Sequence, residues 1–563
     1  MTVRTLTLPT LRLGAAILLL CLAARVPALG QPAQDPIRPG ERMYRNGLLP
    51  SGNPISTTWQ GRDSLPGTTF GCAGCHLRAG TGNADEAVAI PPINAAQLFK
   101  PSFRYYPDLT PQERAGLPEV ARNPLRRPAY TDATLVAAIR DGADPVGRSL
   151  NPVMPRYHLD DRAADLLVNY LKSLSLELSP GVTGTTLSFA TVITEGVPKA
   201  DRDAMLATLE RQVAEHNQVY EKTLKKVYRV LVMKQMALPM RKWSLVVWEL
   251  KGSPSQWPAQ LEEHYTAGPV FALVGGLSAG DWRPVHEFCE GRGIPCILPL
   301  TDYPVISQAS GYTLYFTGGF FEEGAAAGAH AADSVQGIGG KPILQIIQDT
   351  PASRALARGF QDALAERGVP KAKEVMVPAG GGFSATALSE FLTDSHGEGI
   401  LALWGGRDAF KALGAVAASA DKPALVLMSA NVLREDVWDL PLDARPFTLL
   451  THPYRLPKAA RPGQGSADPV PTPFVANGDA RRVRSRAYTL MQVVDEGVRR
   501  MSRDFYRDNF LDRIRLMADK TDSDYEILSF SPDRPWLSTG CYLVRIPQDP
   551  VRGFVQRSDW IIR

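Results

Sequence analysis

The pentapeptide Cys72-Ala73-Gly74-Cys75-His76 constrains this chain more tightly than any other feature of its 563 residues. With only six cysteines and eight histidines in all, C-x-x-C-H is a rare arrangement by composition. Thiols three positions apart sit about one helical turn apart. Each can bond one vinyl group of a haem, and the next residue then brings its imidazole to the iron, which is the c-type haem attachment signature. A redox dithiol would want a βαβ context. A zinc site would want a second ligand pair nearby. The flanking sequence offers neither, so one covalent haem c, with its iron, is the expected cofactor, attached through Cys72 and Cys75.

The chain is long enough for two or three domains. Its hydrophobic content of 44% and charged content of 21% are those of globular protein. The net charge is +4, and three of the positive charges, Arg4, Arg12 and Arg25, lie in an N-terminus without acidic residues. Removing that segment leaves a chain near neutrality, without the basic surface that nucleic acid demands. Residues 1–30 read as a signal peptide: Arg4 and Arg12, then the apolar run Leu13–Ala24, then Ala28-Leu29-Gly30 at the cleavage position. The run is too short to span a bilayer. Cys21 follows Leu20 inside the apolar core, which is wrong for a lipoprotein. A periplasmic, soluble chain with no transmembrane segment after cleavage is expected.

Residues 40–178 form one compositional block around the haem motif. Residues 179–186 (SPGVTGTT) are turn-rich. From Leu187 onward apolar strands alternate with amphipathic helices. Strands are expected at 187–193, 244–250, 269–275, 295–300, 312–317, 342–348, 373–377, 398–404, 423–429, 446–451, 525–530 and 541–546. A helix is expected at 351–367 and a long one at 201–241. This alternation predicts an α/β domain over 187–563 with largely parallel sheets. The Pro/Gly-rich stretch 456–481 reads as a surface loop.

In the first block, Met154 is the one methionine that follows His76, and prolines flank it in Asn151-Pro152-Val153-Met154-Pro155-Arg156-Tyr157. Asp160 is a candidate N-cap for a helix carrying Ala163, Ala164, Leu166, Leu167, Tyr170 and Leu171. Gly40 and Tyr44 sit in a candidate N-terminal helix. With the haem motif in front and methionine on a late loop, this block resembles the class I cytochrome c family. The resemblance implies an all-α cytochrome c domain with His76 and Met154 as axial ligands of the haem iron. It also implies that the Ile90-Pro91-Pro92-Ile93 segment supports the haem histidine, Pro91 or Pro92 offering a carbonyl. Arg156 is a candidate propionate partner. His158 is the competing ligand. A thioether ligand favours Fe(II) and raises the potential.

In the second block, a strand at Val270 leads into Gly275-Gly276-Leu277-Ser278-Ala279-Gly280, then a helix, then Pro295–Leu300. Gly311–Thr317, Lys341–Asp349, Tyr488–Gln492 and Gly540–Val544 follow in order. The order resembles the type I periplasmic binding proteins of branched-chain amino-acid ABC transporters (substrate-binding components). It implies two α/β lobes around a ligand cleft. A dinucleotide-binding loop is the competing reading, but G-G-x-x-x-G does not match G-x-G-x-x-G. Cleft residues are expected at the C-terminal ends of strands: Ser278, Thr301, Asp302, Asp349, Thr350, Arg407 and Asn431. Ser278-Ala279-Gly280 and Thr350-Pro351-Ala352 depart from the hydroxyls and the aromatic of amino-acid binders, which argues against an amino-acid ligand.

Cys289 and Cys296 are spaced for a short-loop disulfide in an oxidising compartment, with two buried thiols as the alternative. The other histidines show no metal-ligand spacing, and no nucleophile elbow or paired-carboxylate motif appears. The expected function is electron transfer through the haem to a redox partner, a dehydrogenase or a respiratory cytochrome, with a module that docks or binds a small molecule. The alternatives are a haem-coupled small-molecule or redox sensor and a substrate-binding component linked to a dehydrogenase. Catalysis at the cleft ranks last.

Overall fold

The computed structural model describes residues 37–85, 88–103, 126–175, 177–227, 240–305, 311–336, 342–381, 383, 385–456, 480–502, 504–522, 524–531, 534–548 and 553–562. The expected signal peptide and nearly all of the stretch 456–481 lie outside them.

The N-terminal block is built on two crossed helices, Arg38–Asn46 and Asp161–Ser173. They approach closely because Gly40 has no side chain: a Cβ there would lie 2.3 Å from the Leu166 carbonyl oxygen. Asp160 caps the second helix by accepting from the Ala163 amide at 2.7 Å, which satisfies an otherwise orphaned donor. Tyr44 stacks obliquely on Tyr170 at 5.3 Å, and Met43, Leu135, Ile139, Leu167, Val168 and Leu171 complete the core. The block is not all-α. Ser56–Trp59 pairs antiparallel with Arg62–Pro66 on one side and Arg156–His158 on the other. Two short ribbons, Asn83–Asp85 with Val88–Ile90 and Ser102–Phe103 with Arg126–Arg127, add to it. Such strands are too short to show a period of two, although the Thr-Thr-Trp run at 57–59 favours one.

Beyond the turn at 179–186, the chain forms two sheets. The first is all parallel, in the spatial order Trp536–Ser538, Thr313–Thr317, Cys296–Ile297, Ala272–Val274, Thr186–Thr194, Lys242–Leu250. The second runs Lys373–Val377, Ile343–Gln348, Ile400–Trp404, Leu425–Ser429, Thr448–His452, Tyr542–Arg545, Val555–Gln556; its last two strands are antiparallel. Each sheet with its helices is one lobe. The chain crosses between them three times, after Thr317, after His452 and after Ser538. Central strands of lobe 2 are buried at every position, as a parallel sheet covered on both faces requires.

Most expected strands form within a few residues of the predicted bounds. The segment 525–530 does not: it is a loop in which Leu528 makes one bridge to Lys520. Of the expected helix at 201–241, the described part forms the helix Lys199–Val227, and 228–239 lie outside the described residues. Cys289 and Cys296 are free, not disulfide-bonded. They are fully buried beside Trp282, Val285 and Tyr315, where they pack as small apolar groups with one thiol hydrogen-bonded to the other.

Lobe 2 depends on glycine at its tightest helix contact. In the helices Gly319–Gln336 and Pro351–Glu366, a Cβ on Gly359 would stand 1.9 Å from the Phe321 carbonyl oxygen. Gly359→Ala should therefore lose stability by about 1–3 kcal/mol, despite the better helix propensity of alanine. Urea unfolding checks this; an unchanged or raised midpoint would show that the helices can separate without loss.

Candidate functional site

The short helix Cys72–His76 follows Gly71, which lets the backbone pass close to the Arg45 carbonyl. Cys72 is half-buried, Cys75 is exposed and His76 is buried. His76 Nδ1 lies 2.9 Å from the Pro91 carbonyl oxygen. A carbonyl can only accept, so Nδ1 carries the proton and Nε2 keeps its lone pair. Burial pulls His76 below the ordinary imidazole range, opposed by that bond to Pro91, so the ring stays neutral. Pro92 follows as a half-buried neighbour, and Gly82 is pressed against both prolines: a Cβ on it would lie 2.8 Å from the Pro92 nitrogen.

Met154 is half-buried on a turn in which its amide donates to the Asn151 carbonyl at 3.0 Å. Two contacts tie this loop to the motif and a third ties it to strand Ser56–Trp59. Tyr157 donates to the Phe70 carbonyl at 2.6 Å, two residues before Cys72. Tyr157 also hydrogen-bonds Cys72 itself, whose thiol burial pushes up to about 11. Trp59 Nε1 donates to the Val153 carbonyl at 3.1 Å. Arg156, expected at a propionate, instead clamps the loop: its guanidinium donates to the Met154 carbonyl at 2.6 Å and the Leu150 carbonyl at 3.3 Å. His158 is exposed and bonded to Thr58 Oγ1 at 2.9 Å.

The residues expected in the cleft divide into two sets. Asp302 and Asn431 belong to the polar junction where the chain crosses between lobes. Glu323, in the first turns of helix Gly319–Gln336, is buried and accepts from Ser429 Oγ at 2.8 Å, Thr451 Oγ1 at 2.8 Å and Asn431 Nδ2 at 3.1 Å. Burial pushes it up to about 7, although those three donors and the like charge of Asp302 also act on it. Glu322 accepts from the Gly540 amide at 3.1 Å. Asp302 faces Arg486 at 3.7 Å, and Arg486 donates to Tyr454 Oη at 2.9 Å. Burial opposes the charge on Arg486, but Tyr525, Tyr454 and Asp302 more than offset it and raise its pKa. Buried Arg486 Nε and Tyr525 Oη have no hydrogen-bond partner among the described residues.

Ser278 is half-buried near the lobe 1 strand ends, where its Oγ accepts from the Gly280 amide at 3.1 Å. Thr301 Oγ1 accepts from the Tyr303 amide at 3.0 Å and shapes the turn that carries Asp302. The other residues serve lobe 2 itself. Asp349 is exposed and paired with Arg354. Thr350 caps helix Pro351–Glu366, accepting from the Ser353 amide at 3.2 Å. Arg407 pairs with Asp436 at 2.9 Å and with Asp439. Glu323, Arg486, Tyr454 and Tyr525 escaped the sequence reading. The Glu322-Glu323 pair inside a helix otherwise rich in glycine and alanine was the available signal. Among the described residues no cluster of three or more His, Cys, Asp or Glu side chains makes a metal-ion site.

The sequence profile of the periplasmic binding proteins matches residues 241–549, more than half of the chain, and the chain belongs to this family. No curated protein matches it. Among solved structures it is similar to an ABC transporter substrate-binding protein from Sphaerobacter thermophilus, at 14% identity over 67% of this chain and 98% of that one, with a TM-score of 0.45. It is also similar to a branched chain amino acid ABC transporter from Thermus thermophilus with bound valine, at 12% identity over 67% and 97%, with a TM-score of 0.43. A solute binding protein from R. palustris in complex with benzoate aligns at 13% identity over 66% and 95%, with a TM-score of 0.41. Among the described residues no helix is long and apolar enough to cross a membrane.

Glu323 makes the junction pH-sensitive. Its folded-state value of about 7 lies above the ordinary 4.5, so the folded chain keeps a proton that the unfolded chain releases. That contribution is complete below about pH 4.5 and is lost as pH rises to about 7, on the order of 3 kcal/mol. Glu323→Gln should abolish this part of the pH dependence in urea unfolding; a wild-type profile in the variant would assign the dependence elsewhere.

Proposed function

We propose that the protein is a periplasmic binding protein carrying one covalent haem c, and that it transfers electrons beside a cleft that binds a small molecule. The observation that carries the haem reading is the His76–Pro91 bond, which leaves Nε2 free on the same helical turn as two free thiols. A haem there would supply one-electron Fe(II)/Fe(III) chemistry. Cys72 and Cys75 would hold it covalently, and His76 and Met154 would hold its iron. The protein residues act by position. Pro91 fixes the imidazole tautomer, Tyr157 holds the Met154 loop against the motif, Trp59 ties it to strand Ser56–Trp59, and Arg156 braces that loop from within. If both His76 and Met154 held the iron, electron transfer would be favoured over bond chemistry.

Family membership supports the binding half of the reading. The polar junction supplies the recognition chemistry. Arg486 Nε and Tyr525 Oη offer buried donors without a hydrogen-bond partner among the described residues, beside Asp302. This suits a small ligand that carries an acceptor group such as a carboxylate. Closure of the lobes at their crossings is the expected motion. A dehydrogenase or respiratory cytochrome is the proposed electron partner, and the periplasm the proposed location.

Absorption spectra of the purified chain, oxidised and reduced, test the haem reading. A covalent haem with the weak long-wavelength Met–Fe(III) band is expected, and Met154→Ala should lose the band while keeping the haem. A chain exported with its haem-loading machinery that carries no covalent haem would end the electron-transfer reading. A haem whose band survives Met154→Ala would remove Met154 as ligand.

A further inference from the structure

The segment Leu77–Thr81 immediately follows the haem histidine and is gripped from two sides. From its own block, Tyr44 donates to the Leu77 carbonyl at 2.6 Å. From lobe 1, helix Arg507–Arg515 presents Asp508 and Asp512, four residues apart and so on one face. Asp512 Oδ2 accepts from the Arg78 amide at 2.7 Å and lies 3.4 Å from the Ala79 amide. Asp508 pairs with Arg45 at 2.8 Å and with Arg78 at 3.3 Å. The Arg78 guanidinium also donates to the Gly311 carbonyl at 2.5 Å and lies 4.7 Å from the Tyr312 ring centre. Thr81 bonds Asn509 at 3.3 Å. Burial pushes Asp512 up to about 7. Burial works the same way on Asp508, but Arg45 and Arg78 overcome it and hold that carboxyl below its usual range.

We infer that Asp512, with Asp508 beside it, is a positioning residue: it fixes Leu77–Thr81 to lobe 1 and thereby sets the placement and electrostatic surroundings of His76. The contacts join residues more than 400 positions apart in sequence, so they exist only when both parts of the chain are folded and docked. A carboxylate that accepts two consecutive amides stiffens the backbone directly beside a metal-binding imidazole. Surface ion pairs do little of this kind, but here Asp512 and Ala79 are buried and Arg78 is nearly so. The inference rests on the haem reading for its effect on the iron, and not for its effect on the segment.

The test uses the full-length chain, as wild type, Asp512→Asn and Arg78→Gln, with two readouts. The first is hydrogen–deuterium exchange across residues 77–82. The second is the reduction midpoint of the haem. Measured at about pH 8 to 9, where Asp512 is ionised, Asp512→Asn should accelerate exchange in the segment roughly tenfold or more, as expected for loss of a charge-assisted hydrogen bond, and should raise the midpoint, since a nearby negative charge stabilises the oxidised iron. Arg78→Gln keeps the amide that Asp512 accepts from and should accelerate exchange less; it also serves if Asp512→Asn does not fold. Wild-type exchange in the variants that fold overturns the inference. Faster exchange with an unchanged midpoint overturns its haem half. If wild type itself carries no covalent haem, the haem reading fails, and exchange still decides whether lobe 1 grips the segment.

Discussion

One buried guanidinium joins the parts of this molecule. Arg507 begins the helix Arg507–Arg515, and its side chain donates to the Phe271 carbonyl at 3.0 Å and the Val270 carbonyl at 2.5 Å. It also reaches Tyr265 Oη at 3.2 Å and the Arg292 and Gly293 carbonyls at 3.4 Å, and its own amide donates to Ser179 Oγ at 3.0 Å. A charge taken out of water costs several kcal/mol unless its hydrogens are satisfied. Here backbone carbonyls satisfy them, at the start of one strand and the end of one helix. The linker from the N-terminal block, the first sheet and the docking helix are therefore held at a single point.

With its first residue fixed in this way, the docking helix can serve two surfaces. Phe510, Leu511 and Ile514 enter the lobe 1 core, where Gly497 lets the neighbouring helix Arg481–Arg500 come close. Asp508 and Asp512 face the other way, toward Arg45 and Arg78. Helical spacing makes this division, because positions 508 and 512 share one side and 510 and 514 the opposite one, with Leu511 between them. Lobe 1 is thus part of the environment of the C-x-x-C-H motif, although the two are far apart in sequence.

The sequence made some of this legible and hid the rest for identifiable reasons. The resemblance carried by C-x-x-C-H, rather than any spacing, named Pro91, whose carbonyl His76 does reach. Fully apolar runs such as Ile400–Trp404 announced the parallel strands of lobe 2 because both faces of that sheet are covered. The segment 525–530 misled because Tyr525, Leu528 and Phe530 are buried against lobe 1 as a loop, and periodicity cannot separate a buried loop from a strand. Thr350 misled because a hydroxyl at a strand end serves equally as a helix cap. Glu323, Arg486 and Asp512 were invisible as a group: each acquires its meaning from a partner on another element, and a single sequence does not show which charges burial will bring together.

The crossings decide how the two halves of the function meet. Among the described residues, the hydrogen bonds and ion pairs that leave the N-terminal block run to lobe 1: to Gly311 and Tyr312, and to the helix Arg507–Arg515. Two of the three crossings carry glycines at positive φ in crowded places. Gly319 (φ +61) faces the Asp302 carbonyl, and Gly540 (φ +108) faces the Ile561 carbonyl. Glu322 holds the Gly540 amide, while Glu323 ties the same helix to two lobe 2 strands. A rotation at these crossings would therefore carry lobe 2 as one body, leaving the C-x-x-C-H segment fixed to lobe 1. On the proposed haem reading, a ligand that closes the lobes would act on the iron through the charges lobe 2 brings near lobe 1 and through Arg486, whose helix packs on the docking helix, without moving the haem.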